Sequence, residues 1–458
     1  MERRTFLRNS GAICLLSPFT SLLSSCNRNP DNKIIISKVA SAVEKEPLLK
    51  PFGFKGGYLT ELWQTIAQVT SSGGNTAVGL GTQSVLWSDS SIFANHTEAE
   101  GNQFMYEITK KALEIIEGQS FTEPVSLLDS ILDELYEYGQ ERTKNSELRK
   151  TFILNGLVPV DNALWMLYAK ENGINNFDMM IPKEYRQTLS NKHNKIAAIP
   201  LISYNTTPDQ LQELVEQGYF FMKIKIGQPG SQEEMLQKDM ERLTSIHNVL
   251  KNVHTPYTTN NKLPYYFDAN GRYESKELFL KFLDHAQKIG ALDQIALIEE
   301  PFPEHYESDV TDIPIRLASD ETAHTDHDVL ERIQMGYRAV ALKPIAKTLS
   351  MSLKIAKVAW EKDIPCFCAD LTVNPILVEW NKNIAARLNS FPGLDNLGLL
   401  ESNGHQNYKN WNEMKNYLPE PKKSWVEVHD GFYHTGNEFF SSAYGIFKNP
   451  DHYQRLIG

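Results

Sequence analysis

Cysteine is scarce, with four in 458 residues, too few to build a disulfide scaffold in a chain of this length. Net positive charge is absent as well. Lys and Arg total 46 against 57 Asp and Glu, a formal charge of −11, and this excludes nucleic acid as the main partner because a phosphate-binding surface needs a basic face. No apolar run reaches the eighteen or so residues that a membrane-spanning helix requires. No repeat period or low-complexity block stands out. What is there is 41% hydrophobic and 22% charged, a globular composition with apolar material for one large domain and a smaller one.

Residues 1–26 run from a basic start through an apolar middle to small residues, the pattern of a targeting segment. Arg3-Arg4-Thr5-Phe6-Leu7-Arg8 resembles a twin-arginine export signal, and Leu23-Ser24-Ser25-Cys26 resembles a bacterial lipobox whose cysteine is lipidated. The expectation is export in the folded state to the periplasm or cell envelope. Cys26 then supplies a lipid anchor at a membrane surface, and the polar residues 27–33 form a tether.

Ile34 to Val39 and Thr76 to Trp87 read as strands. Phe104, Ile108, Ala112 and Ile115 recur at helical spacing, and a second helix enters through Pro124 and carries Leu128, Ile131, Leu132 and Leu135. Strands followed by helices predict an α+β unit over 34–155. The rhythm then changes. Ala197 to Tyr204, Phe220 to Ile226, Tyr265 to Phe267, Ile295 to Ile298, Ile315 to Ala318, Ala339 to Leu342, Pro365 to Cys368 and Leu397 to Leu400 are short apolar runs separated by helix-length segments. Eight such runs over 156–405 predict an α/β fold of the (β/α)8 TIM-like kind, a barrel of parallel strands. Residues 252–261 read as a polar surface insertion, and 406–458 as a closing segment that packs back on the N-terminal unit. Within it, Asp430-Gly431 between Trp425 to Val428 and Phe432 to Tyr433 signals a hairpin.

An active site in such a barrel lies at the C-terminal ends of the strands. In order these ends carry Lys223 and Lys225, Asp268 and Asn270, Glu299 and Glu300, Asp320 and Glu321, Lys343, Asp370 and Glu401. Asp268, Glu299 and Asp320 come from three consecutive strands, so their charges converge and call for a cation. Oxygen-only ligands suit Mg²⁺. Lys225 and Lys343 stand four strands apart in a ring of eight and so face each other across that ion, an arrangement for taking a proton from one side of a carbon and returning one to the other. Metal charge stabilises the enediolate that forms when a proton leaves beside a carboxylate. The base must be a neutral amine, which requires a lysine pKa below its usual value of about 10.4, and Lys223, on the same strand face as Lys225, supplies a like charge.

This set, Lys-x-Lys, Asp-x-Asn, Glu-Glu-Pro, Asp-Glu and a later Lys, resembles the enolase superfamily, specifically its muconate lactonizing enzyme subgroup. Val160-Asp161-Asn162-Ala163-Leu164-Trp165 resembles the family's helix leading into the barrel. The resemblance covers about residues 34–410 and implies a modified barrel with an N-terminal capping domain. It also implies Mg²⁺ on Asp268, Glu299 and Asp320, with Lys225 and Lys343 as the acid/base pair. Asn270, Glu300 and Glu321 are expected to orient those ligands. Glu401 and Asp370 are candidates for substrate contact. A racemase or epimerase acting on a small carboxylate, such as a dipeptide or N-acyl amino acid, is the first reading. A cycloisomerase or dehydrating lyase with the same intermediate is the second, and a lipid-anchored binding protein without turnover is the third. The family's dipeptide epimerases present Asp-x-Asp on the eighth strand, where this chain has Glu401-Ser402-Asn403. Assembly into a homo-oligomer is left open.

Three further features have plainer readings. Cys366 and Cys368 share a strand face and are expected to pack as small apolar residues. His324 and His327 are expected at a solvated helix start. Phe52 to Tyr58, with Phe52 and Phe54 able to close over a substrate, reads either as a lid or as an ordinary hairpin.

Overall fold

In the computed structural model, which describes residues 33–54, 57–394, 396–441 and 446–457, side chains alternate in and out at the start of the first strand. Ile34 and Ile36 are buried and Ile35 between them is exposed. Cys26 and the targeting segment lie outside the described residues. Strand β1 (Ile34–Phe54) pairs antiparallel with β2 (Gly57–Ser71), and β2 with β3 (Thr76–Thr82). β4 (Ser120–Phe121) joins the other edge, giving the order β3-β2-β1-β4. β1 is therefore far longer than the predicted Ile34 to Val39. The segment Phe52 to Tyr58 is the paired end of a hairpin, with Phe52 opposite Leu59, and the side chain of Phe54 lies outside the described residues. The predicted strand Thr76 to Trp87 stops at Thr82 and continues as a helical turn, Val85–Ser88.

Helices Glu98–Ile116, Pro124–Thr143 and Lys150–Glu171 accompany this sheet. The first is capped by Thr97, whose side chain and that of Glu100 satisfy each other's backbone amides. The third runs unbroken through residue 155, where the sequence suggested a boundary, because Gly79 and Gly81 let it approach β3. A Cβ at Gly79 would lie 2.1 Å from Pro159 O. This helix is long and apolar enough to cross a membrane, but its apolar window is 94% buried inside the protein.

The barrel follows. β5 (Lys195–Ile199) and β6 (Leu201–Ile202), interrupted by Pro200, make its first stave. β7 (Met222–Lys225), β8 (Tyr265–Asp268), β9 (Ile295–Glu299), β10 (Leu317–Ser319), β11 (Ala339–Leu342), β12 (Cys366–Cys368) and β13 (Gly398–Glu401) are the next seven. Every neighbouring pair is parallel, β6 pairs with β7, and β13 pairs with β5, so the ring closes through the two halves of the first stave. Helices connect the staves except between β9 and β10, where the described residues 300–316 contain none. This is the departure from a regular (β/α)8 barrel. The fold is thus α/β, a modified barrel with an N-terminal antiparallel sheet and helices at the C-terminal ends of its staves.

The predicted hairpin is half right. Asp430 and Gly431 form a tight turn with φ of 51° and 77°, bracketed by reciprocal backbone hydrogen bonds between His429 and Phe432. Trp425 to Val428 is no strand. Instead β14 (Phe432–His434) pairs antiparallel with β5, on the edge opposite β13 and along the half of the first stave that β7 does not reach. The same segment touches the N-terminal sheet through the Leu48–Tyr408 bridge and the His452–Glu44 contact at 2.9 Å.

Candidate active site

Strand register assembles the site. Lys225 lies opposite Asp268, and Asp268 opposite Glu299, so three charged residues occupy one rung across β7, β8 and β9. One rung deeper, Lys223 is opposite Tyr266, whose hydroxyl donates to Glu299 Oε2. Two of these staves are followed by residues in the left-handed region, Asn270 at φ 47° and Glu300 at φ 42°. Such strain persists only where surroundings enforce it. The Asn270 amide donates to Asp268 Oδ1 at 3.0 Å, and the Gly271 amide donates to Glu300 O at 2.6 Å.

The charges interlock. Lys223 Nζ stands 3.0 Å from Asp268 Oδ2, 3.0 Å from Glu299 Oε1 and 3.2 Å from Glu401 Oε2. Lys225 Nζ donates to Asp268 Oδ2 at 2.5 Å and Asn270 Oδ1 at 2.7 Å. Lys343 Nζ pairs with Asp320 Oδ2, under the indole of Trp87 at 4.5 Å from its centroid. Glu300 Oε1 accepts from the Asp320 amide at 2.5 Å and from Thr322 N and Oγ1, which fixes the loop after the fifth stave. Asn270 Nδ2 donates to Glu321 Oε1 at 2.9 Å, tying the third stave to the fifth.

Ligand oxygens of Glu299, Asp320 and Glu321 lie within 4.8 Å of one another. Asp268 meets Glu299 through the Lys223 ammonium rather than directly. Burial, then the charge of Asp268, pushes the Glu299 carboxyl well above the usual range. Burial would also raise Asp268 and Asp320. Lys223 and Lys225 outweigh it at Asp268, which falls to about 2, and Lys343 and Lys347 hold Asp320 low. Asp320 Oδ1 is buried without a hydrogen bond. An all-oxygen donor set with one buried oxygen unsatisfied and one carboxyl raised by its neighbour fits Mg²⁺. Glu299, Asp320 and Glu321 are the described carboxylates close enough to share one ion, and Asp268, expected as a ligand, pairs with Lys223 and Lys225.

The lysines depart from expectation. Lys223 and Lys343 are pushed up, not down: burial would lower both, but the adjoining carboxylates prevail. Glu401 and Asp370, candidates for substrate contact, also have internal partners. Glu401 Oε2 accepts from Lys223 and the Asp370 amide, and Oε1 from Asn403 Nδ2. Asp370 accepts from the amides of Leu371, Val373 and Asn403, and burial, then Glu401, pushes its carboxyl up to about 6. Both nonetheless line one cleft with Phe52, Lys225, Asp268, Asp320 and Lys343. Three participants were not anticipated. Trp87 and Tyr266 sat inside apolar runs. Lys347, fully buried and donating to Asp320 O at 2.7 Å, carried a signal in its i, i+4 spacing from Lys343. Elsewhere, Cys366 and Cys368 are buried free thiols. His324, expected in solvent, is buried and pairs with Glu304 at 2.6 Å, just before the helix Asp326–Met335, on whose first turn His327 is exposed.

The parallel barrel with an N-terminal antiparallel sheet has the fold of solved enolase-superfamily structures. No protein-family model and no curated protein sequence matches the chain. Among solved structures it is similar to a dipeptide epimerase from Enterococcus faecalis V583 in complex with Mg and L-Leu-L-Tyr, at 15% identity over 90% of this chain and 99% of that one, TM-score 0.58. An enolase-superfamily protein of unknown role from the same organism matches at 18% identity over 93% and 97%, TM-score 0.61. A mutant L-talarate/galactarate dehydratase liganded with Mg and L-glucarate matches at 18% over 98% and 97%, TM-score 0.59. At these identities the likeness is one of fold.

Proposed function

We propose that this chain is a Mg²⁺-dependent racemase or epimerase that removes the proton α to a carboxylate and returns one to the opposite face. The observation that carries the reading is that Lys225 and Lys343, from staves two and six, line the same cleft as Asp268 and Asp320. Mg²⁺ held by Asp268, Glu299 and Asp320 would supply the positive charge that a substrate carboxylate needs as its α-proton leaves. Lys225 takes the proton on one side, steadied by Asn270. Lys343 delivers one on the other, its stem fixed between Asp320 and Trp87. Lys223 balances Asp268, Glu299 and Glu401 and keeps their oxygens in place. Each lysine acts as a base only as a neutral amine, so the carboxylates that now hold Lys343 charged must be engaged elsewhere during turnover.

The fold's likeness to both a dipeptide epimerase and a dehydratase supports elimination as the second reading, since one base and one metal serve either outcome. Solvent deuterium incorporation separates them when followed by NMR over dipeptides, N-acyl amino acids and sugar acids with Mg²⁺ or EDTA. Mg²⁺-dependent exchange with inversion is expected. A new alkene would favour the lyase, and EDTA-insensitive exchange would overturn the metal assignment. We further propose export by the twin-arginine route and anchoring through Cys26. Cys26→Ala should move the protein from the membrane to the soluble envelope fraction, and an unchanged distribution would overturn the anchor.

A further inference from the structure

The outer edge of the N-terminal sheet is open along the middle of β1. β4 covers that edge only at Ile34 and Ile35, and at the far end Pro47 O accepts from Lys409 N and Leu48 bridges Tyr408. Trp63 O accepts from Gln83 N, on the β3 side of β2, so the even-numbered residues of β2 face β1 with their backbone groups. Their partners Lys38, Ala40, Ala42 and Glu44 therefore turn their own amides and carbonyls inward. Val39, Ser41, Val43 and Lys45 turn theirs outward, and among the described residues no hydrogen bond reaches those groups. A register shift between Ile36 and Lys38 closes the segment at one end, and Pro47 closes it at the other. Between these stops the strand carries neither proline nor bulge, the devices that usually blunt an exposed edge.

The sequence of this segment is its own complement. Residues 38–44 read Lys-Val-Ala-Ser-Ala-Val-Glu, a palindrome about Ser41 with opposite charges at its two ends. An antiparallel copy with its axis at Ser41 sets Val39 against Val43, Ala40 against Ala42, Ser41 against Ser41 and Lys38 against Glu44. The pairs Val39 with Val43 and Ser41 with Ser41 bring outward backbone groups face to face, so each exchanges two hydrogen bonds as an antiparallel ladder requires. A slip of two residues either way sets Lys38 against Ala42 or Lys45 against Val39, and the charge match is lost. Lys38 is exposed and has no ion pair among the described residues. Glu44 accepts from His452 Nε2 at 2.9 and 3.0 Å, which leaves lone pairs on both oxygens for a second donor. The same axis brings Ile35 of one copy toward Leu49 of the other, and these side chains are otherwise 46% and 59% exposed.

We infer that a second copy of this chain occupies the open edge, joined β1 to β1 about a two-fold axis at Ser41, so that two N-terminal sheets become one. The occupant is another copy rather than a foreign strand because both the charge order and the small side chains match their own reversal.

The test is sedimentation velocity of the full chain over a dilution series, together with oxidative cross-linking of Ser41→Cys. The wild type should dimerise with a Kd of about 10 μM or tighter, as a short ladder with apolar ends allows. Val43→Pro removes an amide that β2 does not use, and the two hydrogen bonds lost across the axis should weaken the dimer about tenfold or more. Lys38→Glu turns both charge pairs repulsive and should weaken it about tenfold; being exposed, it carries the test if proline disturbs the strand. The facing Cα atoms at position 41 stand about 5.5 Å apart in such a pair, within disulfide reach, so oxidised Ser41→Cys should yield a covalent dimer linked 41 to 41 by peptide mass spectrometry. A wild type that stays monomeric at about 100 μM, a dimer that Lys38→Glu leaves unchanged, or oxidation of Ser41→Cys without the 41-to-41 link would each overturn the proposal.

Discussion

Lys343 ends against Trp87, its ammonium 4.5 Å from the centroid of the indole. The lysine belongs to the barrel's sixth stave and the ring to a helical turn of the N-terminal unit, so the cap supplies one wall of the cleft. Lys347 approaches the same ring at 5.8 Å, and cation–π attraction of about 0.5–2 kcal/mol per contact favours this placement.

Trp87 Nε1 is buried without a hydrogen-bond partner, so the ring, not the N–H, contributes the stability. Trp87→Phe should unfold in urea within about 1–2 kcal/mol of the wild type, whereas Trp87→Ala should lose about 3–5 kcal/mol. Equal losses for the two would show that the aromatic face does not matter.

Removing Lys223 takes the shared cation from three buried carboxylates. Breaking a buried pair costs about 3–5 kcal/mol, so Lys223→Met should be destabilised by that amount in EDTA. Added Mg²⁺ should recover more stability in the variant than in the wild type, because the acids regain a counter-charge. Thermal unfolding with and without Mg²⁺ checks this. An identical Mg²⁺ increment would argue that the ion binds away from these acids.

Asp161 joins the N-terminal unit to the barrel by accepting from Ser350 Oγ at 2.5 Å and Ser350 N at 3.1 Å. Burial pushes its carboxyl up to about 6 against the pull of those donors, while an unfolded Asp titrates near 3.9. Between these values the folded state keeps a proton that the unfolded state has released, so this group's contribution to stability falls as pH rises. Relative to Asp161→Asn, the wild type should lose stability from about pH 4 to 6 and change little above. A flat difference in melting temperature would contradict the buried, proton-holding state.

Burial pushes the Cys366 thiol up to about 12 and raises Cys368 well above the ordinary thiol range. Neither should react with a thiol reagent at pH 8 in the native state, and both should react in denaturant, as read by peptide mass spectrometry. Native labelling at either position would rule out the packed role.

The barrel was legible because parallel strands covered on both faces read as bare apolar runs, and the charged residues at their ends fall where those runs stop. The N-terminal sheet was legible only in part, since Ile34 to Val39 fell within β1 and Thr76 opened β3. From Glu44 to Lys50 β1 mixes charge with Pro47, and β2 begins inside a glycine-rich stretch that resembles a loop. Only pairing across the sheet makes strands of them. Charge spacing located Lys223, Lys225, Asp268, Glu299, Asp320 and Lys343, since each follows an apolar run. It did not reveal that Glu401 is bound to Lys223, nor that Glu321 lies as near to Glu299 and Asp320 as a metal ligand would, because both depend on side-chain direction.

The central claim is that two opposed lysines each serve one face of the substrate carbon. It is tested most directly by α-deuterium exchange on each enantiomer of an accepted acid in D₂O with Mg²⁺. Wild type should label and invert both enantiomers. Lys343→Ala should label only the enantiomer whose proton faces Lys225, and Lys225→Ala only the other, with inversion lost in each. A single-lysine variant that still interconverts the enantiomers at the wild-type rate would contradict the two-lysine account.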